Sequence, residues 1–185
     1  MPDVSKRYLV LSDVHCREWV AESARELMKE HSLDQVVLLG DITHFGPPQF
    51  AEDFVKALGK RCYAVPGNCD PPGTVAFLER SCVSLHGRKI VLDGRPWSGF
   101  GGSNPTIFKT PFEMPEEEIE RRLAPFMEPG MVLVLHCPPY GVLDTPFSGK
   151  HVGSTALRDL IEKVRPKVVL SGHIHEDRGI LQRDG

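Results

Sequence analysis

A chain of 185 residues is the size of one domain and long enough to bury a core without disulfides or a structural metal, so a single domain over residues 1–185 is expected. Its formal net charge of -3, with a pI near 6.2 and no long run of Lys or Arg, argues against a tight duplex binder and any stable nucleic-acid complex. Five cysteines (Cys16, Cys62, Cys69, Cys82 and Cys137), odd in number and without CxxC spacing, argue against a disulfide framework and against a structural zinc site.

In chain order, residues 8–11 (YLVL) read as a first short strand. A helix over residues 17–30 follows, its Trp19, Val20, Ala24, Leu27 and Met28 recurring at helical spacing. Residues 36–39 (VVLL) form the second strand, and Pro47-Pro48 opens a helix carrying Phe50, Phe54, Val55 and Leu58, with Gly59 as its stop. Residues 62–65 (CYAV) are the third strand and residues 72–80 a Pro-led helix. Three runs at residues 82–85, 89–92 and 97–100 look different, because His86-Gly87 and Asp93-Gly94 separate them. The Asp-Gly signal predicts antiparallel pairing there, hence a second or mixed sheet. Residues 101–111 form a long Gly/Pro loop of the kind that is usually functional. Pro115 and Glu116 to Glu118 start a helix with a buried stripe of Ile119, Leu123 and Phe126. Residues 131–135 (MVLVL) are a further strand, Ser154 caps a helix that ends at Pro166, and residues 168–170 (VVL) close the pattern.

Five of these apolar runs end in residues able to bind a metal: Asp13 and His15, Asp41, Asn68, His136, and His173 with His175. Short Val/Leu-rich runs alternating with helices read as buried parallel strands, and ligands of such sheets gather beyond the strands' carboxyl ends. Asp13 and His15 lie two apart, as do His173 and His175, so in an extended segment each pair points to one side. Gly40, Gly67 and Gly172 precede ligands and let the backbone turn sharply. Two carboxylates, four imidazoles and a carboxamide suit Mn, Fe, Zn or Ni better than calcium. Seven side chains are too many for one ordinary ion. Two ions about 4 Å apart, sharing a carboxylate, would use them all, and such a pair clamps the attacking and leaving oxygens of a displacement at phosphorus.

Asp13-Val-His15, Gly40-Asp41, Gly67-Asn68-Cys-Asp70, His136 and Gly172-His-Ile-His175, in this order, resemble the calcineurin-like metallophosphoesterase family. The small single-domain archaeal and bacterial members, phosphodiesterases among them, are the most similar through Asn68-Cys69-Asp70, His136-Cys-Pro-Pro-Tyr-Gly and Gly101-Gly-Ser-Asn-Pro-Thr. The resemblance implies a four-layered αββα sandwich of two mixed sheets flanked by helices. It also implies two divalent metal ions, with manganese the first choice and nickel, iron or zinc the alternatives. One would take Asp13, His15, Asp41 and His175, the other Asp41, Asn68, His136 and His173, with Asp41 the bridge. A metal-bridging hydroxide would be the nucleophile in hydrolysis of a small phosphate ester, a phosphodiester first and a phosphomonoester second.

The match departs from the family at Cys69, where most members carry a histidine near the leaving-group oxygen. A thiol of pKa roughly 8.5 is a poorer neutral-pH acid than an imidazole, which favours good leaving groups or another donor. His44, three residues beyond Asp41, is the best-placed donor. Lys150 and His151, after Tyr140-Gly141, and Asn104 in the Gly/Pro loop are candidates to touch substrate. Cys62 and Cys82 read as core residues, Cys69 and Cys137 as packed unreactive thiols, His31 and His86 as exposed turn residues, and Asp70 as a cap on the Asn68 loop. A non-catalytic scaffold on the same fold, resembling the phosphoesterase-like subunit of retromer, is the alternative that the Cys69 substitution motivates. A nuclease is the third, disfavoured by length and charge. The N-terminus, Met1 to Arg7, shows no leader and no apolar stretch is long enough to span a bilayer, so a cytoplasmic protein without membrane partners is expected. The chain stops ten residues past His175, where similar sequences continue with further strands. Missing strands would leave an unpaired sheet edge, with a partner or a homodimer contact as the expected cover.

Overall fold

Each of the five apolar runs becomes a strand of three or four residues, and alternation along it decides which layer each side chain enters. The computed structural model describes residues 6–183, in the order β1 (Tyr8–Leu11), α1 (Trp19–Glu30), β2 (Gln35–Leu38), α2 (Pro48–Leu58), β3 (Cys62–Ala64), α3 (Pro72–Ser81), β4 (Val83–Ser84), β5 (Lys89–Leu92), β6 (Arg95–Phe100), α4 (Glu116–Leu123), β7 (Val132–Leu135), α5 (Thr155–Val164) and β8 (Val168–Leu170). Residues 1–5 of the expected leaderless N-terminus, and the terminus at Gly185, lie outside the described residues. Among the described residues no helix is long and apolar enough to cross a membrane.

Two four-stranded sheets result, ordered β1-β2-β3-β4 and β5-β6-β7-β8. The predicted hairpin is present. Asp93 and Gly94 both adopt positive φ (49° and 71°), the twist that suits a two-residue turn between antiparallel β5 and β6. The run at residues 82–85 departs from expectation. Its strand β4 pairs parallel with β3, Tyr63 against Val83, because α3 carries the chain back to the end where β3 began. The first sheet is therefore parallel throughout, and only the second, where β6, β7 and β8 run parallel beside antiparallel β5, is mixed.

Alternation in β2 shows how the layers form. Val36 and Leu38 pack under Ala24 and Met28 of α1, Phe54 and Leu58 of α2, and Phe77 and Leu78 of α3. Val37 and Leu39 point the other way, to Tyr63, Trp97, Val132 and Val134 between the sheets. On the far side Leu133 and Leu135 of β7 meet Ile119 and Leu123 of α4 and Leu157 and Leu160 of α5. Helices, sheet, sheet, helices is the four-layered sandwich, and each fully buried Leu or Val contributes about 1.5–3 kcal/mol. Strands β2 and β7 are buried along their whole length. The outer strands β1 and β8 are not, and Val10 and Val168 are each 40% exposed at the sheet edges. Tyr8 of β1 stacks near Trp97 (5.2 Å between ring centres) and donates its hydroxyl to Asp93 Oδ2 at 2.6 Å, tying the hairpin turn to the first sheet.

Helix ends follow local chemistry. Gly59 ends α2 at φ 60°, and Ser154 Oγ accepts the Leu157 N–H at 3.1 Å to cap α5. Glu116, expected to sit on its own helix dipole, also reaches across to accept the Ala156 N–H at 3.0 Å, which joins the starts of α4 and α5. Phe126 falls in a 3-10 turn after α4 and is only half-buried.

Candidate metal centre

The segments leaving β1, β2, β3, β7 and β8 converge on one rim of the sandwich. Asp13, His15, Asp41 and His173 all take positive φ (57°, 47°, 49° and 72°), conformations that cost a non-glycine residue roughly 1–2 kcal/mol. Backbone bonds between neighbouring strand ends hold them there: Asp13 N–H to Gly40 O (3.1 Å), His15 N–H to Asp41 O (2.9 Å), and His173 N–H to Asp13 Oδ2 (3.1 Å). Strain kept by such cross-bracing at polar residues is a mark of a working site. The preceding glycines have a second use beyond turning. A Cβ on Gly67 would fall on the carboxylate and backbone nitrogen of Asp41, so the Asn68 loop can approach only without a side chain there.

The side chains gather in two groups. Asp13, His15 and His175 form one: Asp13 Oδ1 lies 3.3 Å from His175 Nε2 and 3.8 Å from His15 Nε2. Asp41, His136 and His173 form the other, with Asn68 Oδ1 2.7 Å from His136 Nε2. Asp41 stands between them, Oδ2 3.6 Å from His15 Nε2 and Oδ1 3.5 Å from His136 Nε2. Oδ1 also accepts the Cys69 N–H at 2.8 Å, which fixes the carboxylate plane.

These groups fit divalent ions by the polarity of their atoms. Asp13 Oδ1 is buried and has no hydrogen-bond donor among the described residues. His136 Nδ1 lies 2.7 Å from the Leu39 carbonyl and so carries a proton, while Nε2 faces another acceptor, Asn68 Oδ1. Lone pairs turned toward one another at hydrogen-bond distance are repulsive unless a cation or proton lies between. Burial favours the neutral imidazoles that metal binding needs. It depresses His173 to about 4, and it lowers His15 against the opposing pull of Asp41 and Asp13. Burial works to raise Asp13, but His136, His175 and the His173 N–H outweigh it and keep the carboxyl below its ordinary value.

A model of the family described as calcineurin-like phosphoesterase matches residues 6–177. The chain belongs to the calcineurin-like phosphoesterase family. It is 35% identical over 161 residues to an uncharacterized protein of Methanocaldococcus jannaschii, covering 80% of this chain and 72% of that one. It is 29% identical over 108 residues to the human metallophosphoesterase domain-containing protein 1, of which it spans 31%. Among solved structures, one superposes with a TM-score of 0.75 over 90% of this chain and 83% of its own length at 21% identity. A second, from Thermus thermophilus, has a TM-score of 0.69 at 19% identity over 90% and 81%. These likenesses bear out the fold. Family membership implies metal-dependent phosphoester hydrolysis, and the residue groups above are able to hold a divalent metal.

Around the phosphoesterase centre, His44 is exposed and its Nδ1 lies 3.2 Å from His15 Nδ1; His15, His44 and Cys69 form a third cluster. Cys69 is 8% exposed, and burial together with the Asp41 charge pushes its thiol well above the ordinary range, so it stays protonated. Asp70 is fully buried. It accepts Thr43 N–H and hydroxyl (2.8 and 2.9 Å) on Oδ1, and Gly67 N–H (2.8 Å) on Oδ2, so it clamps the Asp41 loop to the Asn68 loop.

The residues expected at the substrate are more dispersed. His151 pairs with buried Asp144 at 2.5 Å and lies against Tyr140, while Lys150 is exposed and makes no hydrogen bond or ion pair among the described residues. Asn104 spends its amide on the protein, Nδ2 to Val152 O (3.3 Å) and Oδ1 accepting from the Cys137 thiol (3.1 Å). Burial pushes that thiol up to about 12. Cys62 is buried as expected, Cys82 half-buried beside it. His31 is exposed as expected. His86 is not: it packs between Phe100 and Phe112, accepts the Gly101 N–H at 2.9 Å on Nδ1, and burial depresses it to about 4. The hydrophobic pattern could not reveal this, because Phe112 reaches His86 from a loop.

Two arginines carried no sequence signal. Arg17 and Arg178 line a cleft of about 380 Å³ with Asp13, Gly172 and His175. Guanidinium groups beside a metal centre suit phosphate oxygens.

Proposed function

We propose that this phosphoesterase holds two divalent ions, manganese first, and hydrolyses small phosphate esters, phosphodiesters in preference to phosphomonoesters. The observation that carries this reading is the placement of Asp41, whose two oxygens face two separate groups of ligands. One ion would lie among Asp13, His15, Asp41 and His175, the other among Asp41, Asn68, His136 and His173. When bound, the ions supply an activated water and neutralise charge on the phosphoryl oxygens.

The protein's own groups do the rest. With an ion bound at Nε2, which faces Asp41 and Asp13, His15 would carry its proton on Nδ1 and donate it to His44 Nδ1. The remaining His44 proton then sits on Nε2, free to donate to an oxygen of the substrate. Cys69, held as a neutral thiol, offers weaker assistance to the departing oxygen than an imidazole would. Substrates whose leaving group needs little protonation, such as aryl diesters, gain most from such a site. Arg17 and Arg178 offer charge to a non-bridging phosphate oxygen at the cleft.

The test is an assay of metal-loaded protein on bis(4-nitrophenyl) phosphate and 4-nitrophenyl phosphate with manganese, nickel or zinc, alongside elemental analysis. Turnover with the diester ahead, and two ions per chain, is expected. Absence of turnover on both with every metal would remove the catalytic reading.

A further inference from the structure

Asn68 can serve a metal only if its carboxamide is turned the right way, and the fold contains a device that decides the matter. Asn68 Nδ2 lies 3.0 Å from Thr110 Oγ1. Thr110 Oγ1 in turn lies 2.6 Å from Glu113 Oε1, which also accepts the Thr110 N–H at 2.7 Å. A carboxylate oxygen only accepts, so the single hydroxyl proton of Thr110 is committed to Glu113 and Oγ1 offers lone pairs to its other neighbour. That neighbour must be a donor, the amide NH₂. The amide oxygen is thereby turned to His136 Nε2.

Glu113 is itself held. It accepts the Thr106 N–H at 3.1 Å and the Thr106 hydroxyl at 2.6 Å; burial, which would raise its carboxyl, is outweighed by these bonds and it stays below its ordinary value. The loop that carries the relay is pinned to the Asn68 segment at two further points, Phe112 N–H to Asn68 O (3.1 Å) and Gly102 N–H to Pro66 O (2.9 Å). The long Gly/Pro loop is thus closed on itself and docked beside the site.

We infer that Thr110 and Glu113 are positioning residues that set the orientation of the Asn68 carboxamide, and through it the affinity for the ion shared by Asp41, Asn68, His136 and His173. The inference rests on the proposed role of Asn68 as a ligand of that ion. Flipping the amide would present NH₂ to the cation, a repulsive contact; the relay forbids the flip because the hydroxyl has no second proton to give. Supporting groups of this kind are typically worth 10- to 100-fold in metal affinity.

The test is a calorimetric titration of metal-free protein with Mn²⁺, with elemental analysis of the loaded forms, for wild type, Thr110→Val, Thr110→Ser and Asn68→Ala. Wild type is expected to take up two ions. Thr110→Val should weaken one of them by about 10- to 100-fold and leave the other unchanged, while Thr110→Ser, which keeps the hydroxyl, restores both. If Thr110→Val binds as wild type while Asn68→Ala loses one ion, the positioning role is overturned and the ligand role of Asn68 stands. If Asn68→Ala keeps both ions, or wild type takes only one, both fall together. Equal weakening of both ions by Thr110→Val would show a general role in the fold and also overturn the inference. Circular dichroism checks each variant, and Thr110→Ala carries the same comparison if the valine form does not fold.

Discussion

His44 Nδ1 stands 3.2 Å from His15 Nδ1, so a residue at the mouth of the site is coupled through one imidazole to the carboxylates beneath. Cys69 is kept protonated nearby, and the proposed function gives His44 the part of proton donor to a departing oxygen. His44→Ala should lower kcat by about 10- to 100-fold for an alkyl phosphodiester and by only a few-fold for an aryl one, since assistance matters in proportion to leaving-group basicity. Steady-state kinetics on the two substrates check this; equal losses on both would point to a role in binding.

Asp41→Asn keeps the shape of the side chain and an oxygen to accept the Cys69 N–H, but it removes the charge facing both ligand groups. Affinity for manganese should fall by more than about 100-fold, exceeding the loss usual for a residue that merely supports a ligand, and turnover should fall to background. Calorimetry and an unchanged circular dichroism spectrum check the two halves of the prediction.

Gly67→Ala places a methyl group on the Asp41 carboxylate and backbone. The two loops must part, and overpacking of this kind costs about 1–3 kcal/mol. Urea unfolding measures the cost, and on the proposed two-ion reading metal titration should show both ions weakened, because the oxygens of Asp41 face both groups. By contrast Gly130→Ala, with open space around its Cβ, should meet no such overlap and suffer only the strain of its φ of 74°.

His86 gives the fold a pH dependence of defined sign. Burial holds it at about 4 in the folded chain against 6.5 when exposed, so between those values the unfolded state binds the extra proton and stability falls as pH falls. Its contribution is intact above the unfolded value and is lost progressively down to about pH 4. From pH 7 to pH 5 this amounts to about 2 kcal/mol. His86→Asn, which does not titrate in this range and keeps an acceptor for the Gly101 N–H, should lose that much less than wild type in metal-free urea titrations at the two pH values. The carboxylates common to both proteins cancel in the difference.

The order of elements along the chain and the helix spacing were legible because they rest on local patterns: Val36 to Leu39 is apolar throughout because both of its faces are covered, and Asp93-Gly94 permits one tight turn. The parallel pairing of Val83 with Tyr63 was not legible. A two-residue strand has no periodicity, and its partner is chosen by where α3 delivers the chain. The residues able to hold a metal were readable as strand-end residues in family order. The Asp70 cap on the Asn68 loop was legible too, but not its reach to Thr43, 27 residues away, nor the bond of Thr110 to Asn68 across 42 residues, because such hydroxyl and carboxylate bonds leave no pattern in a linear chain.

By itself, then, the sequence determined that polar residues would cap buried strands and that their chemistry would suit divalent metals, since burial periodicity and ligand type are properties of single residues and their neighbours. Tertiary structure alone decided which oxygen of Asp41 faces which histidine, which way the Asn68 amide turns, and that His86 is half-buried. Each of these depends on direction and distance between segments far apart in the chain, and those quantities exist only once the two sheets have closed on each other.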